Sequence, residues 1–324
     1  MISSFSEQQS GSAERLKERL LTQYQGKSLE EIFDGEDFLT KGGRCYRLST
    51  RRKINLLSFS PDKTKRALLV NLRLIYGVGY KTGRALKKKG YRTIKDLTRH
   101  PFYASEAHKF LQTLDQGDPG RVIAWVERWF SKSHPLLLYA FGLSKREDFI
   151  LLDIETMGLY DQPIILLGLG QIQDDELLIT QYLLRDISEE TGALSAFLSH
   201  VEGRGVWVTF NGRMFDVPYI NDRLSYHGIR VNLNKPNLDL LYFSRRAWKW
   251  KLPNCKLGTL EKYLLGVKRE DDVPSALVPD FYSTYLRTKN VGPLIPIIEH
   301  NRQDLVALIG LFSELCREWG NFRF

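Results

Sequence analysis

Residues 149–156 read FILLDIET, and this octet constrains the chain more than any other stretch. It is apolar enough to be a buried strand, yet it carries Asp153 and Glu155 two positions apart. Side chains at i and i+2 of a strand share a face, so two carboxylates are presented together beside a core. Burial penalises their ionisation, and each charge penalises the other. A divalent cation with further oxygen ligands is the usual means of offsetting such a penalty.

Two later stretches offer those ligands. In VTFNGRMFDVPYI a strand runs out near Phe210, and Asn211-Gly212 turns the chain toward a helix carrying Asp216. In IEHNRQDLVALIG a late helix carries His300 and Asp304, four residues apart. That separation is only about 40° of helical rotation, so the two share a face. Four gathered carboxylates suit hard cations such as Mg²⁺ or Mn²⁺. Two such ions ~4 Å apart clamp the attacking and leaving oxygens of a phosphodiester.

Around these positions the pattern is that of an α/β chain. PIILLGLGQI and ELLITQYLL predict a hairpin about the QDD turn. ALSAFLSHVE predicts a helix, GVWVTF a strand and FDVPYINDRLSYHG a helix, with helical spacing after residue 237 almost to the end. The sum is a mixed sheet flanked by helices over residues 147–324. Residues 67–143 read as helical, and 1–66 as an extension with short helices and basic strands in CYRLSTRRKINLLSF. Residues 1 to about 11 are polar enough to be expected without structure. Ser28 and Glu31 form a capping-box pattern ahead of SLEEIF.

Charge is unevenly placed. Residues 41–99 hold 18 Lys or Arg against Asp62 and Asp96, a local net of +16; the chain as a whole is +9, leaving −7 elsewhere. Such concentration points to a polyanion partner, most simply nucleic acid. Within it lies LIYGVGYKTGRALKKKGYRTIKDL, residues 74–97. Gly77 and Gly79 allow a tight turn between two helical runs, and the helix beginning near Tyr80 directs its first, unpaired N–H groups outward. Lys81, Thr82, Arg84, Lys87 and Lys88 surround that site, Gly90 ends the helix and Thr93 caps the next. The stretch resembles the helix-hairpin-helix motif, which implies sequence-independent binding of DNA through its phosphates.

No apolar run approaches the ~20 residues of a membrane span. The N-terminus lacks the pattern of a signal peptide. Three scattered cysteines, Cys45, Cys255 and Cys316, offer no disulfide framework or zinc site, so a cytoplasmic protein is expected. SRRAWKWKLP, residues 244–253, interleaves Trp248 and Trp250 with cations, and reads either as a base-stacking strip or as core with a charged rim. Glu270, Asp271 and Asp272 read as a surface loop before Pro274.

In order and setting, DIET, NGRMFD and HNRQD resemble the three exonuclease motifs of the ribonuclease-H-like DEDD superfamily. LDLLYFSRR, KLGTLEKYLLGVKREDDVPS and LVPDFYSTYLRT resemble its YprB-like branch, over residues 147 to about 319. The resemblance implies a two-metal 3′→5′ exonuclease releasing nucleoside 5′-monophosphates, with Asp153, Glu155, Asp216 and Asp304 as ligands and no small-molecule cofactor. It implies Asp153 on both ions, Glu155 and Asp304 on the water-activating one and Asp216 on the second. It further implies His300 as general base, and Asn211 orienting its loop or touching a terminal nucleotide. One departure stands out: the histidine lies four residues before the last acid, where commoner branches have tyrosine there or histidine five before. DNA is favoured over RNA by the hairpin. An RNase-H-type or structure-specific endonuclease and an inactive DNA-binding scaffold remain the alternatives.

Overall fold

The computed structural model describes residues 2–203, 205–269 and 271–320, with side chains from Gly11 onward. Helix α1 (Ile2–Gln23) occupies the stretch expected to be unstructured. Leu16 and Leu20 bury its C-terminal turns, and a helix once nucleated by packing extends at little cost. In α2 (Leu29–Ile32) Ser28 and Glu31 exchange side-chain-to-backbone bonds, the capping box the sequence predicts. A hairpin of β1 (Gly35–Thr40) and β2 (Gly43–Lys53) follows.

The helical region comprises α3 (Pro61–Leu69), α4 (Tyr80–Lys88), α5 (Ile94–Leu97), α6 (Ala104–Asp115), α7 (Pro119–Trp129) and α8 (Pro135–Phe141). After it come β3 (Phe149–Thr156), β4 (Ile164–Gln173), β5 (Glu176–Leu183), α9 (Glu190–Val201) and β6 (Val206–Thr209). The chain closes with α10 (Asp216–Tyr226), β7 (Asn237–Asp239), α11 (Leu240–Trp248), α12 (Leu257–Leu260), α13 (Val278–Thr288) and the long α14 (Leu294–Glu318).

All seven strands form one sheet in the order β1-β2-β5-β4-β3-β6-β7. The first five are joined antiparallel, whereas β3–β6 and β6–β7 are parallel. The predicted β4–β5 hairpin is present, with Asp174 left-handed in its turn. Residue 237 begins a three-residue strand rather than helix; so short an element has no periodicity to read. The basic segment expected as one or two strands is β2, paired along β5.

Both faces of the sheet are covered. Phe149, Leu151 and Ile179 join Leu305, Leu308 and Phe312 of α14 and Leu68, Phe110, Val126 and Tyr139 of the helical region in one core. Ile150, Leu152 and Ile154 point the other way, to Phe197, Phe281, Tyr282 and Ile298. This is the expected mixed sheet flanked by helices. Among the described residues no helix is long and apolar enough to cross a membrane.

In the glycine hairpin, Gly77 is left-handed at φ +79 and Gly79 precedes α4. Only one full helix borders the turn, because Asn71 caps a 3₁₀ turn, Leu72–Leu74, after α3 has ended. Val78, Leu86, Ile94 and Leu97 are buried. Lys81, Arg84, Lys87 and Lys88 stay exposed, and Gly90, at φ +96, ends the helix. Thr93 caps α5 with Asp96, as predicted.

Candidate active site

Where α14 crosses β3, the shared face changes character. Phe149 and Leu151 lie in the core beneath the helix, but the same face continues into Asp153 and Glu155. The β3–β4 register shifts between Glu155 and Thr156, an irregularity of the kind that re-aims side chains at strand ends. Asp216 arrives from the first turn of α10 and accepts a 3.1 Å hydrogen bond from the Ile154 N–H. Asp304 and His300 descend from α14. The structure thus brings the five predicted residues together.

Their electrostatics show an uncompensated cluster. Asp153 is pushed well above the usual carboxylate range by burial, then by the charges of Asp304, Glu155 and Asp216. Glu155 is displaced likewise by burial, then by Asp304 and Asp216. Burial carries Asp216 up to about 7 despite its backbone hydrogen bonds. Glu155, only 6% exposed, has no hydrogen-bond or ion-pair partner among the described residues, and its carboxylate oxygens keep their contact with solvent. A largely buried carboxylate without a protein donor is costly unless water, a proton or a cation reaches it.

Other side chains answer part of that demand, and sequence reading overlooked them. Asn301, fully buried, donates to Asp153 Oδ2 at 2.7 Å and to its carbonyl at 2.9 Å. Gln181 of β5 holds the Asn301 Oδ1 at 2.8 Å, and Gly168 makes the room, since any Cβ there would collide with Asn301. Arg269 is bonded to Asp304 and, at 2.7 Å, to Glu261, which burial raises and Gln303 at 2.9 Å steadies. Asp239 is also structural: its carboxylate accepts the N–H groups of Asn211 (2.8 Å) and Arg213 (3.1 Å), fixing the loop before Asp216.

His300 Nδ1 lies 2.6 Å from Asp272 and its Nε2 3.7 Å from Asp304. Burial opposes its protonation, but the Asp272 hydrogen bond and the Asp304 charge prevail and raise its pKa. Asp272 therefore does more than the surface loop expected of it. Asp271 is exposed and paired with Arg19 at 2.7 Å, and Glu270 lies outside the described residues. Asn211 is left-handed at φ 71 and exposed, and only its backbone has assigned partners. The tryptophans divide: Trp248 is core at 4% exposure, whereas Trp250 is 90% exposed.

The donor set fits a hard divalent ion in chemistry: carboxylate oxygens from three elements, one wholly unpartnered. Its arrangement is not yet a cage. Among the described residues no three His, Cys, Asp or Glu side chains are gathered closely enough to hold an ion as they stand. One of the acids, Asp304, is meanwhile held by Arg269.

A sequence model of the RNase_H superfamily matches residues 150–316, from the acid-bearing strand through α14. The chain belongs to the RNase_H superfamily. It is 34% identical over 200 residues to the "Uncharacterized protein YprB" of Bacillus subtilis (strain 168), covering 60% of this chain and 48% of that protein. The chain thus spans about half the length of that relative. Among solved structures it is similar to the family B DNA polymerase of Pyrobaculum calidifontis. That likeness has 17% identity and a TM-score of 0.42, over 52% of this chain and 24% of the polymerase. RNase H-like nucleases generally use divalent metal ions, which agrees with the chemistry of the acid cluster.

Proposed function

We propose that this chain is a divalent-metal-dependent nuclease of the RNase_H superfamily that removes nucleotides from the 3′ end of nucleic acid. The observation that carries the reading is the buried, unpartnered carboxylate of Glu155 beside Asp153, Asp216 and Asp304. These four would hold two Mg²⁺ or Mn²⁺ ions, which when bound polarise a phosphoryl oxygen and acidify water. Asn301 fixes one oxygen of Asp153, and the Ile154 N–H fixes one of Asp216, so both acids are oriented before any ligand arrives. His300, held by Asp272, is the proton acceptor for the attacking water, and its raised pKa favours that role.

The exposed Lys81, Arg84, Lys87 and Lys88 beside the α4 N-terminus support a second role, holding the phosphate backbone of DNA. In this reading residues 67–143 are the binding module and 147–324 the catalytic domain. Residues 1–66 extend the catalytic domain, since β2 pairs with β5. The contact of Arg269 with Asp304 favours one rival, a binding protein in which the acids are neutralised internally.

The deciding experiment follows 5′-labelled single-stranded DNA and RNA of one sequence with Mn²⁺ or with EDTA. A metal-dependent ladder shortening by single nucleotides is expected, absent with a blocked 3′ end. Asp153→Asn should slow it by at least about 1000-fold, the several kcal/mol attributable to metal-assisted chemistry, with DNA binding retained. Internal cuts in blocked substrate would make the protein an endonuclease, and metal-independent binding without cleavage would favour the binding protein.

A further inference from the structure

A cleft of about 750 Å³ opens between α1 and the chain around α12, lined by Arg15, Arg19, Lys256, Thr259 and Asp272 among others. Its size lies within the range of ligand sites. Its cations are exposed and little used. Arg15 and Lys256 form no ion pair among the described residues. Among the described residues Arg19 pairs with Asp271 alone, exposed on both sides, a contact worth little in water. In front of Gly258 the space is open, so a ligand can approach the backbone there.

The position of the cleft gives these charges a purpose. Asp272 lines it and also holds His300, which stands 3.7 Å from Asp304. One residue thus separates the cleft from the acid cluster. An anionic strand approaching four carboxylates is repelled unless cations flank its path. The nearby Arg269 is already committed to Glu261 and Asp304.

We propose that this cleft seats the phosphates of a single nucleic-acid strand as its end enters the acid cluster, with Arg15 and Lys256 as the contacts. The inference rests on the nuclease reading of that cluster, and it assigns a binding role to α1, which lies outside the matched family region. The ligand is the sugar-phosphate backbone itself, so no base preference follows.

The test uses the full chain and a nuclease-resistant phosphorothioate tetranucleotide bearing 5′-fluorescein. Anisotropy is measured with Mn²⁺ across a salt series. Arg15→Ala/Lys256→Ala should bind on the order of tenfold more weakly. Its slope of log K against log salt should fall by about 1.4, the value for two single-strand contacts. The charge-conserving pair Arg15→Lys/Lys256→Arg should restore both. A 4-thiothymidine near the 3′ end should crosslink to residues 12–19 or 256–259. Unchanged affinity and slope in the alanine pair, or no binding by the wild type, overturns the proposal. Cleavage of ordinary oligonucleotides by the wild type is scored separately, so failure of the cleft is distinguishable from failure of the nuclease reading.

Discussion

At the scale of single residues, the acid cluster is held by an internal division of labour. Glu261 is fully buried, and Arg269 bridges it to Asp304. Replacing Arg269 by Gln keeps hydrogen-bonding capacity and removes the charge, leaving both carboxylates without their counter-ion. Breaking a buried pair from one side costs about 3–5 kcal/mol. The metal-free Arg269→Gln protein should therefore unfold at lower denaturant, and Mn²⁺ should recover more stability in it than in the wild type. Equal metal stabilisation of the two would show that Arg269 and the ion do not compete for Asp304. None of this was legible from the KREDD sequence. A contact spanning 35 residues leaves no local pattern, and a charge run reads by default as solvated surface. Asn301 did leave a signal. It interrupts the stripe Ile297, Leu305, Leu308 on α14, and a polar residue on a core-facing stripe must find a buried partner.

At the scale of elements, the strands around the acid cluster are tied to their neighbours by a second buried network away from the acids. Glu190, in the first turn of α9, accepts from the Ile164 N–H that opens β4 at 2.9 Å, from Arg223 of α10 at 2.8 Å, and lies 2.8 Å from His227. Burial raises its pKa, but the Arg223 and His227 hydrogen bonds outweigh that, so the net shift is downward. A depressed carboxylate stabilises the fold above its unfolded value, near 4.3 for glutamate, and loses that contribution as pH falls through its folded value. Glu190→Gln should cost about 3–5 kcal/mol near neutral pH. Measured by denaturant unfolding, its deficit against the wild type should shrink below about pH 4.3. A deficit independent of pH would mean that Glu190 acts by shape alone. Strands and helices such as β3, β4, β5, α7 and α9 were legible because their apolar periods are long and clear. The three-residue β7 was not, and α1 reached further than its polar start implied because tertiary packing at Leu16 and Leu20 overrides composition.

At the scale of the whole molecule, cations and acids are segregated along the chain yet meet in one fold. The segment with net +16 contributes both β2, inside the seven-stranded sheet, and the glycine hairpin beside α4. A direct link joins the helical region to the acid-bearing one: Arg213, in the loop before Asp216, pairs with Glu127 of α7 at 2.6 Å and bonds the Asn237 carbonyl at 2.8 Å. If the cleft and the hairpin each hold phosphate, the two should separate by substrate length. Lys87→Glu/Lys88→Glu alters exposed residues at the end of α4, so folding should be unaffected. Its affinity for long duplex DNA should fall, and its salt slope should decrease by about 1.8, since each duplex phosphate contact contributes close to 0.9. Binding of the tetranucleotide should stay as in the wild type, the reverse of the pattern expected for the cleft variant. Anisotropy titrations with both lengths across a salt series supply the check. If the hairpin variant kept its duplex affinity and slope, the helix-hairpin-helix resemblance would be one of shape only. The basic segment would then serve the seven-stranded sheet rather than a separate DNA grip.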